Sequence, residues 1–498
     1  MIANNLASAT KQFQIRDSLV TILVNNDPQV RTLHNFCWLC SFVYAATKIG
    51  DYLFNAQKYD EEFKFAMEII QRNVVDIYNG LFVWIIMNTV VFSLHYSLVL
   101  INNFNQFQLL IQIIDDNRNK NSGSSIENGE TIGTGQLYKQ FHSRQQSRLY
   151  QRLLIDIIYM LITLIGLIVF STASILMYDF QFIGSIMIMA EMFRLTLKAH
   201  SFYVENRDLQ ISEEELQLLI KNQLIQSRNW FKIFSVWQSR PKFNAFCYFL
   251  FAPTLIYRNS YVRTKTIRWN FVLNYCCQMI FILVVWVYII LSCTVKHHMH
   301  RIGSHVYYWR DLYGHLFTLW IVGVFNYYCF FYTLFHLWHN ITGELLRFAD
   351  RHYYEAFWNA RSLKQFYRQW NLIVQDWVYH YAYKPINQWT NNRWITTIMV
   401  TFVSAVAHEY IIAISLRFCF PLIFLCFGFC GFILDMINHY LKYKRWQNML
   451  FIFQFYLGFG LMTLGYFVEV LARIECPENS SSILQYFIPR IITCLTLK

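Results

Sequence analysis

The 498-residue chain is 55% hydrophobic and 19% aromatic but only 14% charged, with 7 prolines and 17 glycines. Soluble domains carry about 25% charged residues, so an ordinary soluble globule is excluded, and few Pro and Gly argue for long helices over a loop-rich β protein. The net charge of +12 does not indicate nucleic acid, because the basic residues sit in short loops between apolar runs, where topology and anionic headgroups account for them.

Residues 1–34 read as a short cytosolic N-terminal arm, with no removable signal peptide. Nine spans of about 20 residues follow, near 35–55, 79–102, 153–177, 181–199, 270–294, 313–338, 395–416, 418–437 and 449–471. The fold class is therefore all-α polytopic membrane protein. Lys48 and Asp51 interrupt the first span, and Glu191 and Arg194 lie in the fourth. With the N-terminus inside, cytosolic segments hold 29 Lys and Arg against 9 on the other side, which orients the chain. The layout is a transmembrane domain over 35–472 with cytosolic loops 103–152, 200–269 and 339–394. A lumenal tail occupies 473–498.

Several local features have plain readings. Cys37-Trp-Leu-Cys40 has redox-motif spacing but lies in an apolar run, so packing is the expected role. Asn121–Gly135 is composed as a flexible loop and Ile211–Ile225 as an interfacial helix. His297-His-Met-His300, with His305, has no nearby Cys or carboxylate to complete a tetrahedral metal set, so a solvated loop is expected and no metal is assigned.

Two stretches carry chemistry. The 339–394 loop is dense in aromatics mixed with Arg, Asn and Lys. It suits either a segment enclosing a long ligand and its phosphates or an amphipathic helix resting on headgroups. Phe402–Leu416 is an apolar helix with His408 and Glu409 near its middle. A charged group at that depth costs about 2.5–3.5 kcal/mol, so such a pair is expected to face a cavity or a bundle interior. A neutral His bonded to a neighbouring helix is the alternative.

These stretches resemble the membrane-bound O-acyltransferase superfamily, in particular its sterol O-acyltransferase branch. Tyr353-Tyr354-Glu355-Ala356-Phe357-Trp358-Asn359 is similar to the group's Phe-Tyr-x-Asp-Trp-Trp-Asn signature, with Ala356 at the acidic position. Trp370-Asn371 followed by Gln375-Asp376-Trp377 resembles its Trp-Asn…His-Asp-Trp element, Gln375 replacing the His. Ser404–Tyr410 resembles the segment with the catalytic histidine, and Lys198–Phe202 and Tyr248–Arg258 look like family segments too. So does the tail around Cys476 and Cys494, and the resemblance implies a disulfide between them. They close a loop of about 18 residues, and a bridge there stabilises by about 3 kcal/mol in the chain-entropy model. Asn479-Ser-Ser481 on the same side is a glycosylation sequon, used or unused.

The resemblance implies a reaction chamber inside the membrane, where a long-chain acyl group passes from acyl-CoA to a sterol hydroxyl. His408 is the expected general base and Asn371 the expected carbonyl-orienting or oxyanion residue. Arg393 occupies a phosphate-contacting position, and Tyr367, Trp370, Gln375, Tyr379, Tyr383 and Ser404 are expected along the acyl-CoA path. No cofactor is expected beyond acyl-CoA as co-substrate. Sterol and membrane lipids are the expected partners, in a homodimer or homotetramer of the endoplasmic reticulum membrane with a cytosolic N-terminus and lumenal C-terminus. Diacylglycerol or a long-chain alcohol is the rival acceptor, and a catalytically lapsed lipid-binding homologue is a further possibility suggested by Gln375 and Ala356. A transporter or channel predicts half-helices broken at corresponding places in two halves, which the sequence lacks.

Overall fold

Helix-forming apolar runs dominate the architecture. The computed structural model describes residues 11–54, 71, 74, 76–123, 134–208, 242–289, 306–307, 309–441, 443–475, 486–490 and 496–497. Cys476, Cys494, Asn479, His297–His305 and Ile211–Ile225 lie outside them. Among the described residues, six helical stretches are long and apolar enough to cross a membrane: Asp76–Asp116, Tyr150–Met177, Trp269–Trp286, Trp320–Leu345, Arg393–Leu416 and Lys444–Val470. Six of the nine expected spans coincide with these. The other three fall on helices as well, over Pro28–Phe54, Phe182–Asn206 and the Phe424–Cys430 and Gly431–His439 pair, but they do not meet that measure. The Phe182–Asn206 helix carries Glu191, Arg194 and Lys198 within its apolar run, so hydropathy alone marks it weakly.

Contacts divide the chain into two units, one of residues 1–78, 179–187 and 261–498, the other of 79–178 and 188–260. In the second unit the two family-like segments meet. The Lys198 ammonium donates to the carbonyls of Phe249 (2.6 Å) and Ala252 (2.7 Å), which the end of the Phe243–Phe251 helix leaves unpaired. Phe202 packs on Phe246 (4.3 Å between centroids) and Tyr257 (5.1 Å), and Arg258 pairs with Glu205 at 3.1 Å. The expected 103–152 loop is largely helical here. Helix continues through Gly123, held where the Asn102 and Gln106 side chains donate to the Arg207 carbonyl.

The first unit is built around an aromatic core. Tyr327, Phe331 and Phe335 of the Trp320–Leu345 stretch meet Tyr353, Tyr354 and Phe357, and both sets meet Phe451 and Phe455 of the Lys444–Glu475 helix. That helix crosses the Trp309–Phe330 helix closely, because Gly460 leaves room for Trp320: a Cβ there would lie 2.7 Å from the indole and 3.0 Å from the Trp320 Cα. Tyr353, Tyr354, Phe357, Ala360 and Phe366 of the 339–394 segment thus belong to this core.

Around this core the chain is pinned by charge. Arg351, 1% exposed, and Arg268 both pair with the fully buried carboxylate of Glu344, at 2.5 and 2.9 Å. Asp17 adds a second anion at 3.0 Å from Arg268 and 3.4 Å from Arg351. Asp27 opens the next helix: its Oδ1 accepts from the Gln29 N–H at 2.9 Å, with Pro28 in the first turn, where a missing N–H costs nothing.

Candidate active site

Asn371 stands where two short helices meet, at the N-cap of Leu372–Trp377. Its carboxamide oxygen accepts the Val374 N–H at 3.1 Å, satisfying a donor that the first turn leaves unpaired. That use fixes the orientation of the amide. The NH2 end is left to donate, the polarity a carbonyl oxygen gaining negative charge requires. The neighbouring Trp370 is wedged between Tyr327 (5.6 Å), Phe335 (4.7 Å) and Phe366 (5.7 Å). The Leu372 N–H donates to the Tyr353 carbonyl at 2.9 Å, and the Glu355 N–H to the Gln369 carbonyl at 2.7 Å. The signature segment therefore holds the Asn371 segment in place, with Tyr353, Tyr354 and Phe357 buried, Trp358 half-buried and Asn359 exposed.

Ala356 leaves the acidic position of the signature empty, and Glu355 turns instead to His352 at 3.5 Å. Burial, with the Arg16 guanidinium next, holds the His352 imidazole below its usual range against the pull of Glu355. Gln375 sits half-buried on the helix that Asn371 caps.

The helix of Arg393–Leu416 starts at Asn392, whose side chain accepts from Trp394 (2.9 Å) and Ile395 (3.3 Å), and ends where Arg417 turns left-handed at φ 63°. His408 and Glu409 are adjacent, so on a helix of 3.6 residues per turn they point about 100° apart. Glu409 is the one turned inward. Its carboxylate accepts from the Tyr466 hydroxyl at 3.1 Å and the Phe424 N–H at 3.2 Å, tying the helix to the two that follow. The His408 side chain, by contrast, is exposed. Its Nδ1 donates to the Ser404 carbonyl at 2.7 Å. The imidazole is thereby held in the Nδ1–H tautomer, which leaves Nε2 with the free lone pair of a base.

Asn371 and His408 are linked through helix rather than by direct contact among the described residues. The helix that Asn371 caps runs on through the wider π-helical turn Val378–Tyr383 and Lys384–Thr390, and both pack on Arg393–Leu416. Tyr379 and Tyr383 stack along that run, with Lys384 Nζ 5.0 Å over the Tyr379 ring. Tyr367, Arg393 and Ser404 are exposed.

Two features escaped the motif reading. Arg393, Thr397, Thr401, Ser404 and His408 recur at intervals of four and three residues, so one face of a membrane-length helix is polar over its first sixteen residues. Lipid offers such a face no partners, and an i, i+4 count would have found it. The Glu409–Tyr466 tie was not legible, because its members are 57 residues apart. A cavity of about 780 Å³ between the Pro28–Phe54 and Trp269–Ile289 helices, lined by Trp38, Phe42, Gln278 and Phe281 among others, includes none of the expected site residues.

The family described as MBOAT, membrane-bound O-acyltransferase family, matches residues 167–468, a range that includes both Asn371 and His408. The chain is 34% identical to sterol O-acyltransferase 1 of Mus musculus over 328 residues, 65% of this chain and 57% of that protein. It is 33% identical to sterol O-acyltransferase 2 of Homo sapiens over 260 residues, 51% of this chain and 49% of that protein. The matched region therefore spans about half the length of these relatives.

Proposed function

The chain belongs to the membrane-bound O-acyltransferase family, and from that premise we propose that it is an acyl-CoA-dependent O-acyltransferase that esterifies a sterol. The polar face from Arg393 to His408 carries the reading. It supplies a cation at one end, hydroxyls along its length and a base about 22 Å away at 1.5 Å per residue. Arg393 meets the phosphates of CoA, and the thioester reaches toward His408. Nε2 of His408 takes the proton of the sterol hydroxyl as its oxygen attacks the thioester carbonyl. The Asn371 NH2 stabilises the oxyanion. Collapse of the tetrahedral adduct breaks the C–S bond, and the imidazolium returns its proton to the CoA thiolate, giving ester and free CoA. The resemblance to the sterol O-acyltransferase branch implies that the enzyme resides in the endoplasmic reticulum membrane as a homodimer or homotetramer.

The test is the purified chain in lipid nanodiscs, supplied with labelled acyl-CoA and separately with a sterol, diacylglycerol or a long-chain alcohol. Label is expected in sterol ester, and His408→Ala is expected to abolish it with expression intact. Label only in triacylglycerol or wax ester overturns the acceptor. Turnover undiminished by His408→Ala overturns the mechanism.

A further inference from the structure

Nothing in the motif comparison gave a role to residues 11–18, yet they are threaded into the first unit. Phe13 packs edge-on against Tyr261 (5.2 Å) and Phe348 (6.0 Å). Arg16 pairs with Asp350, its N–H donates to the Ala349 carbonyl at 3.0 Å, and its own carbonyl accepts from the Arg351 N–H at 3.0 Å. Asp17 joins the Arg268–Glu344–Arg351 cluster, and Ser18 Oγ accepts from the Asn340 amide at 2.9 Å. At the start of this strap, the Lys11 ammonium pairs with the Asp376 carboxylate, their side chains 16% and 22% exposed.

Asp376 lies on the six-residue helix that Asn371 caps. That helix opens the continuous helical run to Thr390, and its first turns, next to Asn371, are held to the rest of the unit by distant partners. Its start is fixed by the Leu372–Tyr353 bond. Where it passes into the π-helical turn, the Asp376 carbonyl accepts from His380 Nδ1 at 2.8 Å and the carboxylate meets Lys11. We propose that residues 11–18 form a strap that sets the position of the Asn371 carboxamide, with Lys11 the positioning residue acting through Asp376. The claim rests on the acyltransfer reading for its kinetic consequence alone. A misplacement of about 1 Å costs up to about 100-fold in rate, so loosening this helix is expected to reduce kcat about tenfold while leaving KM for acyl-CoA near its original value.

The experiment compares full-length wild type, Lys11→Glu, Asp376→Lys, Lys11→Arg and the swapped pair Lys11→Asp with Asp376→Lys in nanodiscs. Amide hydrogen exchange over 372–383 is read beside kcat, KM and the unfolding midpoint. Both charge reversals are expected to speed exchange there and to lower kcat with the midpoint held, while the swap and Lys11→Arg restore both. Unchanged exchange in Lys11→Glu overturns the strap, and faster exchange with unchanged kcat overturns its positioning role. Faster exchange in a chain whose wild type transfers no acyl group supports the strap and overturns the reaction instead.

Discussion

Asn371 serves two masters with one side chain, its oxygen capping a helix and its NH2 left to donate. The two duties separate by substitution. Asn371→Asp keeps an acceptor for Val374 but loses the donor, so it is expected to fold with the wild-type unfolding midpoint and to lose about 10²–10³-fold in kcat. Asn371→Ala is expected to show the same kinetic loss and, in addition, about 1 kcal/mol of lost stability from the missing cap. Glu409 presents the complementary case of a carboxylate beside the expected base that is fully engaged in structure. Glu409→Ala leaves the Tyr466 hydroxyl and the Phe424 N–H unpaired and is expected to cost about 1–3 kcal/mol, read as a lowered unfolding midpoint in detergent.

At the scale of the element, the Arg393–Leu416 helix carries a polar face and an apolar remainder. Thr401 sits on the polar face, half-buried, and Val403 is exposed two residues on, well around the helix. Thr401→Leu is expected to lower kcat/KM for acyl-CoA about tenfold, the weight of about one hydrogen bond. Val403→Leu, which adds one carbon and removes no hydroxyl, is expected to leave it unchanged, and steady-state kinetics on the two variants distinguish a conduit from a lipid-facing surface. Hydropathy marked this helix from the sequence because an apolar run of membrane length is a local property. It did not mark which residues of the 339–394 segment are core. Tyr353, Tyr354 and Phe357 reach burial only through Phe331 and Phe335 before them and Phe451 and Phe455 far after them.

Across the first unit, stability depends on charges removed from water in matched sets. Burial, and after it the Arg16 charge, holds His352 below the ordinary imidazole range against the pull of Glu355, so the folded state favours its neutral form. Such a group contributes stability above its unfolded pKa, near 6.5, and that contribution is lost as acidification protonates the unfolded chain first. The unfolding midpoint is therefore expected to fall between pH 7.5 and about 5.5, and His352→Gln to flatten that slope, as thermal scans at a series of pH values would read.

The sequence by itself determined the helical membrane class and the sites of six spans, and it singled out Asn371 and His408 as candidates, because hydropathy and motif spacing are written in consecutive residues. Only the tertiary structure decided that Glu409 is tied to Tyr466, that Asn371 presents its NH2, and that residues 11–18 pack against the first unit. The first and the last turn on partners distant in the chain, Glu409 and Tyr466 being 57 residues apart and Lys11 and Asp376 365. Burial and hydrogen bonding are settled by which surfaces meet, and no run of neighbouring residues encodes that meeting.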